Sequence, residues 1–185
     1  MEHFYEDIYG WFSYDYIYKD IVQQAEEGSL FVEIGSFQGR STAYMCVEIA
    51  NSGKKITFEC IDPMSATPNY EESQRLNPHE WEGYGVEKFT ERMAPVKDYY
   101  KLHQISSVDA VALYEDASID FIMIDGDHSY EGVYNDVKNF LPKMRSGGLM
   151  VGDDAFVPEI LQAAKDAAVN LNVETNGMHF FISIP

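Results

Sequence analysis

Apolar positions along this chain follow two alternating patterns. Helical spacing over 14–25 (Tyr14, Ile17, Tyr18, Ile21, Val22, Ala25), ended by Gly28, predicts a first helix. The run LFVEIG at 30–35 predicts a buried strand, followed by the glycine-bearing turn SFQGRS and a helix through about Asn51 that Gly53 stops. Further strands are expected at 55–62 (KITFECID), 99–106 (YYKLHQIS), 119–127 (IDFIMIDGD) and 149–154 (LMVGDD, led in by Gly147 and Gly148). Between them fall a helix carrying Val86, Phe89, Met93 and Val96, a short one after 106, one carrying Val133, Val137, Phe140 and Leu141, and an alanine-rich one over about 157–171. Such alternation predicts an α/β domain with a mostly parallel sheet. Asn176-Gly177 between two strand-like runs is a strong hairpin signal, so the sheet should finish with an antiparallel pair.

Length and composition narrow the reading. The 185 residues suit one domain, 1–185, in which 1–29 form a helical, aromatic cover and the proline-bearing stretch 63–84 is an irregular insertion near the site. Cys46 and Cys60 lack the spacing of a zinc site or a disulfide framework. With Met1 running into Glu2, Glu6 and Asp7 and no long apolar run, neither a secretory leader nor a membrane span is expected, and a cytoplasmic setting is the simplest reading. A net charge of −18 with scattered lysines and arginines argues against a nucleic-acid partner and for a small-molecule one. Oligomeric state is not readable, and a homo-oligomer is left open.

Chemistry gathers where strands are expected to end. In VEIGSFQGRST, Gly35 and Gly39 lie between a strand and a helix, where bare backbone admits a ligand and the helix start offers unpaired N–H groups. This is not the G-x-G-x-x-G dinucleotide fingerprint, and Phe37 would crowd a pyrophosphate. Asp62, about 20 residues on, suits a grip on ribose hydroxyls. Glu33, inside the first strand, needs a cationic partner, because an unpaired buried carboxylate costs several kcal/mol. S-adenosylmethionine, with an ammonium, a sulfonium and no phosphate, fits such a loop better than NAD does. At the next strand ends, Asp125 and the pair Asp153-Asp154 should converge, and three carboxylates without a cation would repel one another. A hard divalent ion, Mg²⁺ above all, would relieve that conflict through oxygen ligands. The bland alternative is that Asp153 and Asp154 only cap the following segment.

The order VEIGSFQGRST, ECID, IDFIMIDGDHSYEGVYND, SGGLMVGDD and a terminal hairpin resembles the class I S-adenosylmethionine-dependent methyltransferases, and among them the macrocin-type O-methyltransferases. The resemblance spans roughly 30–185. It implies a Rossmann-like three-layer sandwich around a seven-stranded sheet of order 3-2-1-4-5-7-6. It also implies cofactor contacts at Glu33, Gly35, Ser36, Phe37, Gly39, Ser41, Asp62, Ser106, Ser107 and Asp125, and metal ligands at Asp125, Asp153 and Asp154. His128 and Asp127 compete as general base, with histidine favoured for its near-neutral pKa. The implied activity is divalent-metal-dependent O-methylation of a sugar or catechol-like acceptor. Two other readings stand beside it: a silent cofactor-binding protein that acts as a regulatory or assembly partner, and a metal-independent N- or carboxyl-methyltransferase.

Overall fold

The computed structural model describes residues 1–65 and 83–185. The sheet comprises β1 (Leu30–Ile34), β2 (Thr57–Ile61), β3 (Lys101–His103), β4 (Ile119–Ile124), β5 (Met144–Gly152), β6 (Glu174–Thr175) and β7 (Phe180–Ser183). Around it lie α1 (Asp15–Gln24), α2 (Arg40–Ser52), α3 (Val86–Arg92), α4 (Ser107–Ala110), α5 (Tyr130–Phe140) and α6 (Pro158–Ala167). The strand order is β3-β2-β1-β4-β5-β7-β6, as expected. β1 to β5 pair in parallel, and β7 runs antiparallel to both β5 and β6.

Alternation along each strand sends side chains into two cores. Phe31, Phe58, Cys60 and Phe121 meet apolar residues of α1, α2 and α3 on one face. Val32, Ile34, Ile61, Ile122 and Ile124 meet α4, α5 and α6 on the other. Burial on both faces explains why these strands read as near-continuous apolar runs. One strand begins earlier than its pattern suggests: Gly147 and Gly148 lie within β5, not before it. The β4–β5 register shifts between Ile119 and Phe121, and Gly148 packs there against the carbonyls of Arg145, Asp120 and Ile119.

The chain reverses its winding direction between β1 and β4, and this opens a crevice at their carboxyl ends. Backbone hydrogen bonds carry the ladder one residue beyond each strand: Gly35 N to Ile61 O (2.9 Å), Asp62 N to His103 O (3.2 Å), Asp125 N to Ile34 O (2.9 Å) and Asp153 N to Ile124 O (3.0 Å). Three acids are thereby fixed along one rim. No described helix is long and apolar enough to cross a membrane. Most of the expected insertion at 63–84, including His79 and Trp81, lies outside the described residues.

Gly35 is the tightest point of the crevice. Its φ is +87°, and an added Cβ would fall 2.1 Å from the Asp125 carbonyl oxygen. Because that neighbour is backbone, it cannot swing away. Gly35→Ala is expected to lower stability by roughly 3 kcal/mol through left-handed strain and overpacking, seen as a lower urea midpoint with an unchanged slope.

Candidate active site

A cleft of about 490 Å³ opens at the carboxyl ends of β1, β2 and β4. Of the predicted residues it gathers Gly35, Asp62, Ser106, Ser107, Asp125 and Asp127. Ile34, Ile61 and Val108 supply apolar wall, while Glu131, Asn135 and Asp136 line it from α5. The titratable lining residues are therefore Asp62, Asp125, Asp127, Glu131, Asp136 and Tyr84; among the described residues no lysine or arginine lines the cleft.

Asp62 is held by donors from both sides. Its Oδ2 accepts from the N–H groups of Ser36 (3.0 Å) and Phe37 (2.9 Å), and its Oδ1 from Met64 N (2.8 Å) and the Tyr84 hydroxyl (2.7 Å). Phe37 adopts a φ of +47° to aim its N–H at this carboxylate. A ribose at Asp62 would compete with the Tyr84 hydroxyl, the one mobile donor of the four. Ser36 and Ser41 are buried, and Gly39 is left-handed at the start of α2 against Phe89; these three shape the turn without lining the cleft.

Glu33 is placed differently from expectation. It is 0% exposed and does not line the cleft. Tyr18 Oη donates to its Oε2 (2.7 Å), while Ser36 Oγ (2.8 Å) and Thr42 Oγ1 donate to its Oε1. Burial raises its pKa and these hydroxyls partly offset the shift. A neutral hydroxyl cage thus takes the place of the cationic partner predicted for it.

The three expected metal ligands are also paired with protein donors. His128 Nε2 lies 3.2 Å from Asp125 Oδ1, and its Nδ1 lies 3.0 Å from Asp154 Oδ2. Tyr14 Oη donates to Asp125 Oδ2 (2.7 Å), and His179 Nε2 lies 3.2 Å from Asp153 Oδ1. Among the described residues no three histidine, cysteine or acidic side chains are grouped to hold an ion. The carboxylate chemistry would suit Mg²⁺, but this arrangement does not, because an imidazole fills the gap between Asp125 and Asp154.

That position alters His128. Burial alone would lower its pKa, but the hydrogen bonds and charges of Asp125 and Asp154 outweigh it and hold the ring up to about 11. Asp154 is correspondingly depressed, chiefly by the His128 hydrogen bond, whereas burial keeps Asp125 raised despite His128 and Tyr14. The ring thus faces both carboxylates, at 3.0 Å from Asp154 and 3.2 Å from Asp125. With both ring nitrogens facing carboxylates and its pKa held up, His128 is biased toward the imidazolium form, in which it holds a proton instead of accepting one. Asp127 Oδ1 accepts from Ser129 N (2.9 Å) and stands at the cleft beside the start of α5.

Several site residues escaped sequence reasoning. Tyr14 and Tyr18 were legible as part of an apolar stripe, and Tyr14 also with Tyr5, Tyr9, Trp11 and Phe12 as an aromatic lid or core packing, neither of which says where their hydroxyls end. His179 is buried two positions past the predicted Asn176-Gly177 turn, and Tyr16 and Ser13 reach it at 3.2 Å each. An aromatic ledge borders the cleft at Tyr84: Tyr84 stacks on Phe37 (5.5 Å), Phe37 on Trp11 (6.1 Å), and Tyr9 meets Trp11 edge-on (5.6 Å). Trp11, at the outer end of the ledge, is 59% exposed.

A family model described as a methyltransferase domain matches residues 32–155. No curated protein matches the chain. A solved Corynebacterium glutamicum protein superposes with a TM-score of 0.64 at 15% identity, over 96% of this chain and 83% of that one. The O-methyltransferase NovP gives 0.63 at 17%, over 92% and 77%. A SAM-dependent O-methyltransferase from Thermotoga maritima gives 0.62 at 9%, over 95% and 67%. At such identities these likenesses speak for the fold; the narrower macrocin-type assignment is not supported by them. From the first strand to the acids that follow the fifth, this chain belongs to the methyltransferase-domain family.

Proposed function

We propose that the chain transfers a methyl group from S-adenosylmethionine to a hydroxyl on a small aromatic acceptor. The observation that carries this reading is the cleft at the β1–β4 crevice, lined by five carboxylates and, among the described residues, by no lysine or arginine. A phosphate-bearing cofactor would be repelled there; one with an ammonium and a sulfonium would be drawn in. Backbone room at Gly35, the acid at Asp62 and the serines at 106 and 107 would hold the methionine, ribose and adenine portions respectively. When bound, the cofactor supplies an electrophilic methyl on a positively charged sulfur.

The acceptor class follows from magnitudes. Ionising a phenol at pH 7 costs about 4 kcal/mol, whereas an alcohol with a pKa near that of water costs about 12 kcal/mol. A positioned acid–base group or fixed charge supplies roughly 3 to 5 kcal/mol, enough for the first and not the second. With His128 seated between Asp125 and Asp154, the groups at hand are a fixed imidazolium and neighbouring carboxylates. His128 would stabilise the oxygen anion as it forms, and Asp127, on the cleft wall, would accept the proton. The exposed indole of Trp11, stacked on Phe37, supports a planar acceptor beside the site.

Titration calorimetry with S-adenosylmethionine is expected to show one site per chain, and label transfer to a panel of phenols and catechols should persist in EDTA. No cofactor binding would remove the reading altogether. Turnover restricted to sugars and abolished by EDTA would restore the metal-dependent alternative. His128→Ala should lower kcat on a phenol by roughly tenfold to a hundredfold while cofactor affinity stays close to that of the parent.

The same variant makes a stability prediction. His128 has a folded pKa raised from 6.5 to about 11, so its contribution is complete below about pH 6.5 and is lost as pH rises through 11. The gap in urea midpoint between parent and His128→Ala should be widest near pH 6 and shrink steadily toward pH 10.

A further inference from the structure

Two turns beside the acidic rim show large apolar side chains to water. Val157 N donates to Asp154 O (2.9 Å), closing a turn whose central residues are Ala155, which is buried, and Phe156, which is 58% exposed. Asn176 N donates to His179 O (3.2 Å), closing a second turn centred on Gly177 and Met178, the latter 46% exposed. Central turn positions ordinarily go to glycine, proline or short polar residues, so a phenylalanine and a methionine there are not explained by turn formation. Ala155 N donates to Met178 O (2.8 Å), which sets the two turns side by side. Tyr16 joins them: its hydroxyl accepts from Asn176 Nδ2 (2.7 Å) and lies 3.2 Å from His179 Nδ1, while the residue stays exposed. Three large apolar side chains are thereby brought to one exposed place.

That place adjoins the reacting groups. Asp154 adopts a left-handed φ of +57° at the start of the first turn, and its Oδ2 lies 3.0 Å from His128 Nδ1. The residue that faces the imidazole therefore also sets the direction in which Phe156 leaves. Charge narrows the occupant. A second copy of this chain would bring its own acidic rim against Asp153, Asp154 and Glu174, and an anionic ligand would meet the same repulsion. An uncharged apolar group meets none and removes exposed apolar surface from water. Methionine, unbranched and adaptable, suits a flexible chain better than a body of one fixed shape.

Resting on the methyl-transfer reading above, we propose that Phe156, Met178 and Tyr16 hold an apolar tail on the acceptor, so that the site is built for lipophilic phenols bearing an alkyl or alkenyl chain. The phenolic oxygen is placed at His128 and the chain runs outward over the two turns. These three residues act on specificity, through the body of the acceptor and away from the transferred methyl.

The test is turnover of 4-alkylphenols, from methyl to hexyl, by the full chain with S-adenosylmethionine, on the parent and on Phe156→Ser and Met178→Ser. For the parent, kcat/KM is expected to rise about two- to fourfold with each added methylene, the range between half and full burial of that group, and to do so mainly through KM. Each serine variant should flatten the rise, and Phe156→Leu, still apolar, should keep most of it. Both positions are exposed, and circular dichroism of the variants checks that the fold is kept. A parent that methylates these phenols without favouring the longer chains would overturn the role of the patch and leave methyl transfer intact; so would a rise that both serine variants leave unchanged. A dimer in sedimentation that Phe156→Ser dissociates would assign the patch to a second copy and overturn the proposal. No turnover of any member of the series would instead overturn the methyl-transfer reading on which the proposal rests.

Discussion

Negative charge concentrated along one edge of a parallel sheet is the constraint to which this site responds. The register of β1, β2, β4 and β5 leaves Asp62, Asp125 and Asp153 each one residue past its strand, held by a backbone hydrogen bond to the neighbouring strand. Carboxylates placed so close must be hydrated, neutralised or given donors. The protein answers in three ways. Loop N–H groups and Tyr84 hold Asp62, histidines face Asp153 and Asp154, and Tyr14 with His128 holds Asp125. What these leave unmet faces the cleft, which is why a positively charged cofactor is complementary to it.

The N-terminal segment gains a purpose from the same constraint. Tyr14, at the cap of α1, and Tyr18, within it, pack as apolar bodies, and their hydroxyls end on Asp125 and Glu33, so one helix and its cap both close the first core and supply two buried donors. Ser13 and Tyr16 reach His179, which joins this segment to the β6–β7 hairpin beside Asp153. The cover is thus fastened to the acids it shields from solvent, and packing there is inseparable from electrostatics.

Much of this fold was legible in the sequence because its signals are local. Apolar runs such as FIMI and the turn residues Gly35 and Asn176-Gly177 mark strands and their ends, and the acids that follow those strands could be placed on one rim before any coordinates. Pairing partners are not local. Nothing near Glu33 in sequence announces that Tyr18 and Thr42 converge on it, and a histidine three residues past Asp125 reads equally well as a solvated base or as the imidazolium it becomes. Asp136 was missed for a related reason: inside a helical pattern an acid looks like the exposed face, and only the packing of α5 over the crevice turns it inward.

The contrast between His128 and a divalent ion separates this site from the one its carboxylates suggested. A doubly charged ion drawn to Asp125 and Asp154 would have to displace the imidazole that lies between them, and the ring would lose its contacts to both carboxylates. An imidazolium, by comparison, brings one charge and a fixed direction. It can stabilise a phenolate, whose charge is spread over the ring and whose formation is within its means, but it falls several kcal/mol short for an alkoxide. Under the proposed function the same rim of acids would favour acidity in the acceptor as well as positive charge in the donor, and the first of these preferences would follow from where one histidine side chain lies.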